Sequence, residues 1–203
     1  MSTLIQAPFW FLRHGETDWN AQNLAQGNVD IPLNAHGIAQ ARRAAAALVG
    51  RGIEAIAVSP LGRARQTADI AAATLGVPVE IVPDLREVAF GVEEGRPMGA
   101  WFTDWFAGRA TPEGGEPFGA LRVRACLALN RVLAVERRWL VVAHGGLFRA
   151  VRAEMGLTAA VRTANGVPIF CLPPTAAGET WRLLSPAEVD QWAAGTPAAD
   201  GAG

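Results

Sequence analysis

Apolar residues fall along this chain in two rhythms, unbroken short runs and helically spaced positions. Pro8-Phe9-Trp10-Phe11-Leu12 and Trp139-Leu140-Val141-Val142-Ala143 are continuous apolar runs of strand length, as expected of strands buried on both faces. Weaker runs over 53–58, 79–82, 167–172 and 180–184 predict four more strands. Between them lie helical segments. Asn34 is a suitable N-cap and Gly50 a stop, which predicts a helix over 35–49. The Pro60-Leu61-Gly62 turn opens an Ala-rich helix reaching about residue 75. Residues 118–136 place Leu121, Ala125, Leu129 and Val132 on one helical face, and a further helix is expected over 147–155. Trp101, Phe102, Trp105 and Phe106 form two i,i+4 aromatic pairs in a short helix inside an irregular stretch, 96–117.

Strands alternating with helices predict an α/β fold: a three-layer α/β/α sandwich around a mostly parallel central sheet. The aromatic stretch over 96–117 reads as a small helical, lid-like insertion, with packing onto the core or a dimer contact as equal alternatives. With no internal repeat and no dividing linker, residues 1–203 are expected to form a single domain, and the tail over 193–203 is expected to fray.

Half of the 203 residues are hydrophobic and 18% are charged, so the chain has the composition of a globular protein. A net charge of −1 provides no basic field for nucleic acid and no reason to expect a membrane surface. Met1 to Ala7 lack the features of a signal peptide, and no apolar run approaches bilayer length, so a cytoplasmic protein is expected. The two cysteines, Cys126 and Cys171, lie in apolar segments without CxxC spacing and read as core residues of a reduced protein. Every basic residue other than histidine is an arginine. The missing lysine excludes Schiff-base chemistry and a phosphate-loop lysine, and leaves arginine as the strong, bidentate anion binder.

Both long apolar runs end alike. The first passes into Arg13-His14-Gly15-Glu16-Thr17 and the second into His144-Gly145-Gly146. Ligands collect where parallel strands end, so both histidines are delivered to one candidate site. A lone strand-end histidine is ordinarily satisfied by a backbone carbonyl; two of them point to chemistry. Arg63 falls in the first turn of its helix, where the dipole disfavours a cation unless an anion is bound. Arg65 lies about 200° around the same helix and is expected at the surface. His36, in the turn before the 35–49 helix, reads as solvated or capping.

With Arg13-His14-Gly15-Glu16-Thr17, Arg63-Ala64-Arg65-Gln66-Thr67-Ala68, Glu87 with Phe90-Gly91, and His144-Gly145 in that order, the chain resembles the histidine phosphatase superfamily. This is the phosphoglycerate-mutase-like group described by its RHG motif, and the resemblance covers about residues 8–172. It implies that His14 is the nucleophile that takes the phosphoryl group, that Arg13, Arg63 and His144 form the phosphate pocket, and that Glu87 is the acid/base carboxylate. Asn20 and the Gly145 amide are implied to assist, and Gln26 and Gly27 to border the site. Glu93 and Gly115-Glu116-Pro117 depart from the group's usual Trp and Gly-Glu-Ser, which bears on substrate fit.

The chemistry asks for these residue types. Neighbouring guanidiniums disfavour a second proton on an attacking imidazole. Preorganised donors meet the charge of a transferring phosphoryl group, and burial beside a phosphate dianion favours a protonated carboxyl that can serve a leaving alcohol. No cofactor and no metal are expected. The resemblance thus implies a phosphomonoesterase acting through phosphohistidine on a small phosphorylated metabolite. A bisphosphate-dependent phosphoglycerate mutase is the alternative. A non-catalytic phospholigand-binding protein is the lesser one, and it would be expected to lack the nucleophile or the acid. Mutases of this group tend to carry a longer insertion with extra basic residues between the acid and the second histidine. Here the segment from Glu87 to His144 is short and its first half is aromatic and poor in basic residues, which favours water as acceptor. Sugar phosphates, α-ribazole phosphate, phosphoserine and phosphoglycerates all stay open as substrates, and so does the choice between monomer and homodimer.

Overall fold

The computed structural model describes residues 3–176 and 178–195. Its centre is a six-stranded sheet built from β1 (Phe9–Arg13), β2 (Ala55–Val58), β3 (Val79–Ile81), β4 (Trp139–Ala143), β5 (Pro168–Leu172) and β6 (Arg182–Leu184). The order is β3-β2-β4-β1-β5-β6. β1 and β4 pair in parallel, as do β4 with β2 and β2 with β3, while β5 and β6 complete one edge antiparallel. The two long apolar runs are thus adjacent strands at the middle of the sheet, with Arg13 in register with Ala143.

Because alternate residues of a strand face opposite sides, β1 feeds two cores. Phe9 and Phe11 face one layer, where Phe11 stacks on Phe148 with centroids 3.8 Å apart. Trp10 and Leu12 face the other. The first layer holds α5 (Phe118–Leu133) and α6 (Gly145–Glu154), and the second holds α2 (Ala35–Leu48) and α3 (Gly62–Leu75). The second layer is tight because its helices meet the core through alanines, Ala41, Ala44 and Ala45 from α2 and Ala64, Ala68 and Ala71 from α3. Asn34 caps α2 by accepting the Gly37 N–H at 2.8 Å, and Gly76, at a φ of 69°, ends α3. This is the sandwich that the alternation of elements predicts.

The differences are local. His36 sits within the first turn of α2, exposed, and not in the turn before it. A one-turn helix, α1 (Asp18–Ala21), follows the first motif, closed by a reciprocal Thr17–Asn20 capping box. α6 starts at Gly145 and not at Leu147, because a side chain from a distant loop caps its first turn, as described below. Residues expected to begin a frayed tail belong instead to α7 (Pro186–Gly195), and the rest of that tail lies outside the described residues. The aromatic stretch forms α4 (Ala100–Phe106), and Trp105 is fully buried with its indole N–H on the Glu116 carbonyl at 2.7 Å. Phe90 meets Trp101, Phe102 and Trp105 edge-on. Of the three roles expected for this stretch, core packing is the one its rings perform, while Phe102 also faces a cleft. Cys126 and Cys171 are buried, as expected of core residues. No helix among the described residues is long and apolar enough to cross a membrane.

Candidate active site

Beyond the carboxyl ends of β1 and β4 lies a cleft of about 270 Å³. Arg13, His14, Asn20, Gln26, Gly27, Arg63, Glu87 and Gly145 line it, all of them residues singled out in the sequence. His144 is not among the lining residues; it is fully buried, with its ring centroid 5.2 Å from that of His14.

His14 is held from both sides. Its Nδ1–H donates to the Gly15 carbonyl at 2.7 Å, which fixes the neutral tautomer with an unprotonated Nε2. Arg63 Nε donates to that nitrogen at 3.3 Å. Nδ1 thus keeps the carbonyl partner of an ordinary strand-end histidine, while the Nε2 lone pair is left to Arg63. Burial, then the Arg63 and Arg13 guanidiniums, push its pKa well below the usual histidine value. Gly15 makes this placement possible, since a Cβ there would lie 2.3 Å from the Gly37 carbonyl oxygen of α2.

The arginines are built in. Arg63 is buried and spends Nη1 and Nη2 on the carbonyls of Val29 and Gly27 at 2.8 and 2.7 Å. It therefore fixes the loop that carries Gln26, whose buried Oε1 has no partner among the described residues. Arg13 donates from Nη1 to the Thr163 carbonyl at 2.7 Å, and its buried Nε has no partner among the described residues. Burial lowers the Arg13 pKa to about 10, against the opposing pull of Glu87.

The anion that Arg63 in the first turn calls for at the α3 N-terminus is a side chain of the protein and not a ligand. The Asp30 carboxylate occupies that end, accepting the Gly62 N–H at 2.8 Å. The α6 N-terminus is closed likewise, by Glu87, which accepts from Gly146 N at 2.9 Å and from Leu147 N at 2.8 Å, and also from its neighbour Val88 N. This capping draws both glycines into the helix. It needs glycine at 146, where a Cβ would come within 2.7 Å of Glu87 Oε1. Among the described residues no protein acceptor takes the Gly145 N–H, which remains available to a ligand.

Several site residues lay outside the sequence reading. Ser59 Oγ sits 2.6 Å from His144 Nε2 and accepts from Leu61 N at 3.3 Å. The ring's other nitrogen, Nδ1, has no partner among the described residues. Burial, then Arg63, hold the His144 pKa well below the usual value. Asn165 ties the loop together, donating to the His14 carbonyl at 2.9 Å and to Asn20 Oδ1 at 3.1 Å. Arg124 donates to the carbonyls of Asp84, Arg86 and Glu87 and takes the Glu116 carboxylate in a fork. Glu116, in the loop that departs from the family pattern, thus supports the backbone carrying Glu87. The Ser59-Pro60 turn just after β2 was the one signal that could have flagged Ser59. Arg149 and Arg162 also line the cleft. No group of three or more His, Cys, Asp or Glu among the described residues could hold a metal ion.

The chain matches the model of the histidine phosphatase superfamily, branch 1, over residues 9–164. It is 38% identical over 147 residues to a probable phosphoglycerate mutase GpmB of Photorhabdus laumondii, covering 67% of this chain and 68% of that one. It is 32% identical over 159 residues to the adenosylcobalamin/alpha-ribazole phosphatase of Escherichia coli, covering 72% and 77%. Among solved structures it superposes on a mycobacterial glucosyl-3-phosphoglycerate phosphatase with a TM-score of 0.76 at 28% identity, over 87% of this chain and 96% of that one. With the motif residues gathered at one cleft of the expected sandwich, the match over most of the chain settles the family: this protein belongs to branch 1 of the histidine phosphatase superfamily.

Proposed function

We propose that this chain, read as one domain over 1–203, is a phosphomonoesterase that passes a phosphoryl group from a small phosphorylated metabolite to His14 and then to water. The observation that carries the reading is the neutral His14, its Nε2 turned to a cleft whose lining includes the guanidiniums of Arg13 and Arg63 and the carboxyl of Glu87. The phosphoryl oxygens bind to Arg13 Nε, Arg63, the Gly145 amide and His144 Nδ1–H, and each preorganised donor contributes on the order of 3 kcal/mol. Asn20 and Gln26 border the bound group. As phosphate enters, Arg63 Nε exchanges the His14 lone pair for a phosphoryl oxygen. Nε2 then attacks phosphorus, the bond to the ester oxygen breaks, and Glu87 gives that oxygen its proton. Glu87 next takes a proton from water, which attacks the phosphohistidine and releases inorganic phosphate with His14 neutral again. The positive charge for both steps comes from arginine, so the cycle uses no metal. A cytoplasmic location fits this chemistry on metabolites.

Incubation with p-nitrophenyl phosphate in chelator tests the reading. Turnover that persists in chelator and disappears in His14→Ala is expected; undiminished turnover in His14→Ala contradicts it. The mutase reading draws support from the 38% identity to a probable phosphoglycerate mutase. Offering 3-phosphoglycerate with its bisphosphate primer separates the two, since hydrolysis releases phosphate and mutase action yields 2-phosphoglycerate.

A further inference from the structure

Two arginines of the cleft have no part in this cycle. Arg149, on α6, donates twice from Nη1, to the carbonyls of Ala159 and Ala160 at 2.8 and 2.6 Å, and lies 5.6 Å over the Phe102 ring. The clamp leaves the Nε and Nη2 edge without a protein acceptor among the described residues. That edge is the paired-donor geometry that matches a carboxylate. Arg162 is exposed and forms no hydrogen bond or ion pair among the described residues. Its loop is nonetheless fixed, because Arg152 holds the Thr158 carbonyl at 2.8 Å, Arg149 holds the next two and Arg13 holds that of Thr163.

The charge distribution is lopsided. Three carboxylates act on Arg63, Glu87 first and then Asp30 and Glu94. Arg149 faces Glu87 as its opposite charge and two further cations, Arg162 and Arg152. A lining of four arginines and one glutamate exceeds what a phosphate dianion balances by about one positive charge. The surplus lies at the Arg149–Arg162 end.

We propose that Arg149 and Arg162 form a second anion subsite that selects phosphomonoesters bearing a carboxylate. This rests on the phosphatase reading of the same cleft. Phe102, which carries Arg149 on its face, adds an apolar surface to the same cleft.

The test compares 3-phosphoglycerate with glycerol 3-phosphate, which share a three-carbon frame and differ by the carboxylate. The wild-type protein is expected to favour 3-phosphoglycerate in kcat/KM by about tenfold, the value of one charge-assisted contact. That ratio should collapse in Arg162→Gln, which removes no internal bond, and in Arg149→Met. A wild-type ratio near one, or a ratio unchanged in both variants, overturns the proposal. Calorimetric binding of both esters to the His14→Ala protein keeps the two claims apart. A carboxylate preference there that Arg162→Gln erases, with neither ester hydrolysed by the wild type, contradicts the phosphatase reading and upholds the subsite. Equal affinities for the two esters overturn the subsite.

Discussion

Arg63 donates its Nε–H to Nε2 of His14 across 3.3 Å, so the lone pair proposed to attack phosphorus is held by the guanidinium that would later grip the phosphate. One contact disfavours a proton on the imidazole and aims it, and in the proposed cycle the substrate releases it. The arrangement depends on Arg63 being immobilised by the Gly27 and Val29 carbonyls.

Arg63→Met is therefore expected to lower kcat/KM by about 10²- to 10³-fold, as for loss of a preorganised donor. It should also raise the His14 pKa, because Arg63 is the largest charge disfavouring its proton. Nitrogen NMR of the imidazole during titration reads the second effect. A His14 pKa unmoved in this variant would contradict the assigned contact.

His14 and His144 are both buried and held well below the ordinary histidine pKa. The unfolded chain takes up protons at both sites as pH falls through about 6.5, while the folded chain stays neutral there. Below that pH the unfolded state holds more protons, so folding stability falls as pH falls. The slope approaches about 1.4 kcal/mol per pH unit for each imidazole. Denaturant unfolding at pH 7.5, 6.5 and 5.5 should show a falling midpoint, and His14→Gln should flatten the decline by about half. A stability that is level across this range contradicts the assignment.

Gly146→Ala tests the acid. The new Cβ would crowd Glu87 Oε1 and displace the carboxyl without altering its chemistry. Alkyl phosphates, whose leaving alkoxide needs a proton, should lose at least about tenfold in kcat, while p-nitrophenyl phosphate, whose leaving group needs little help, should lose less. Glu87→Gln should show the same divergence. Equal losses on both ester types would remove Glu87 from the role of acid.

Ser59→Ala examines a positioning residue that does not touch substrate. Without the Ser59 hydroxyl, His144 loses the hydrogen-bond partner of its Nε2, which in the proposed cycle donates to that nitrogen and leaves the imidazole proton on Nδ1. A loss of about tenfold in kcat is expected, with a shifted acid limb of the pH–rate profile and recovery in Ser59→Thr. A uniform loss with an unchanged profile would mark Ser59 as merely structural.

What the sequence disclosed depended on how local each signal was. β1 and β4 were legible because unbroken apolar runs belong to central strands, and their shared His-Gly endings announced a common site. The motif residues needed little beyond their order along the chain. The start of α6 was misplaced because two glycines discourage a helix unless something caps them, and the cap, Glu87, lies 59 positions from Gly146. The α3 end misled for the same reason, since Asp30 closes it from 32 positions away. Ser59, Asn165 and Arg124 act through contacts between distant segments, and single residues of common type leave no periodic trace. α7 went unnoticed because Pro186–Gly195 is short, with too few apolar residues to show a helical period, and it runs into the Ala- and Gly-rich tail.

The most direct measurement is rapid-quench analysis with a 32P-labelled ester, followed by mapping of the label in the denatured chain. The account predicts an acid-labile, alkali-stable phosphohistidine at residue 14, formed at least as fast as turnover and absent in His14→Ala. Sustained hydrolysis with no phosphorus ever on His14, or with the label on another residue, would contradict it.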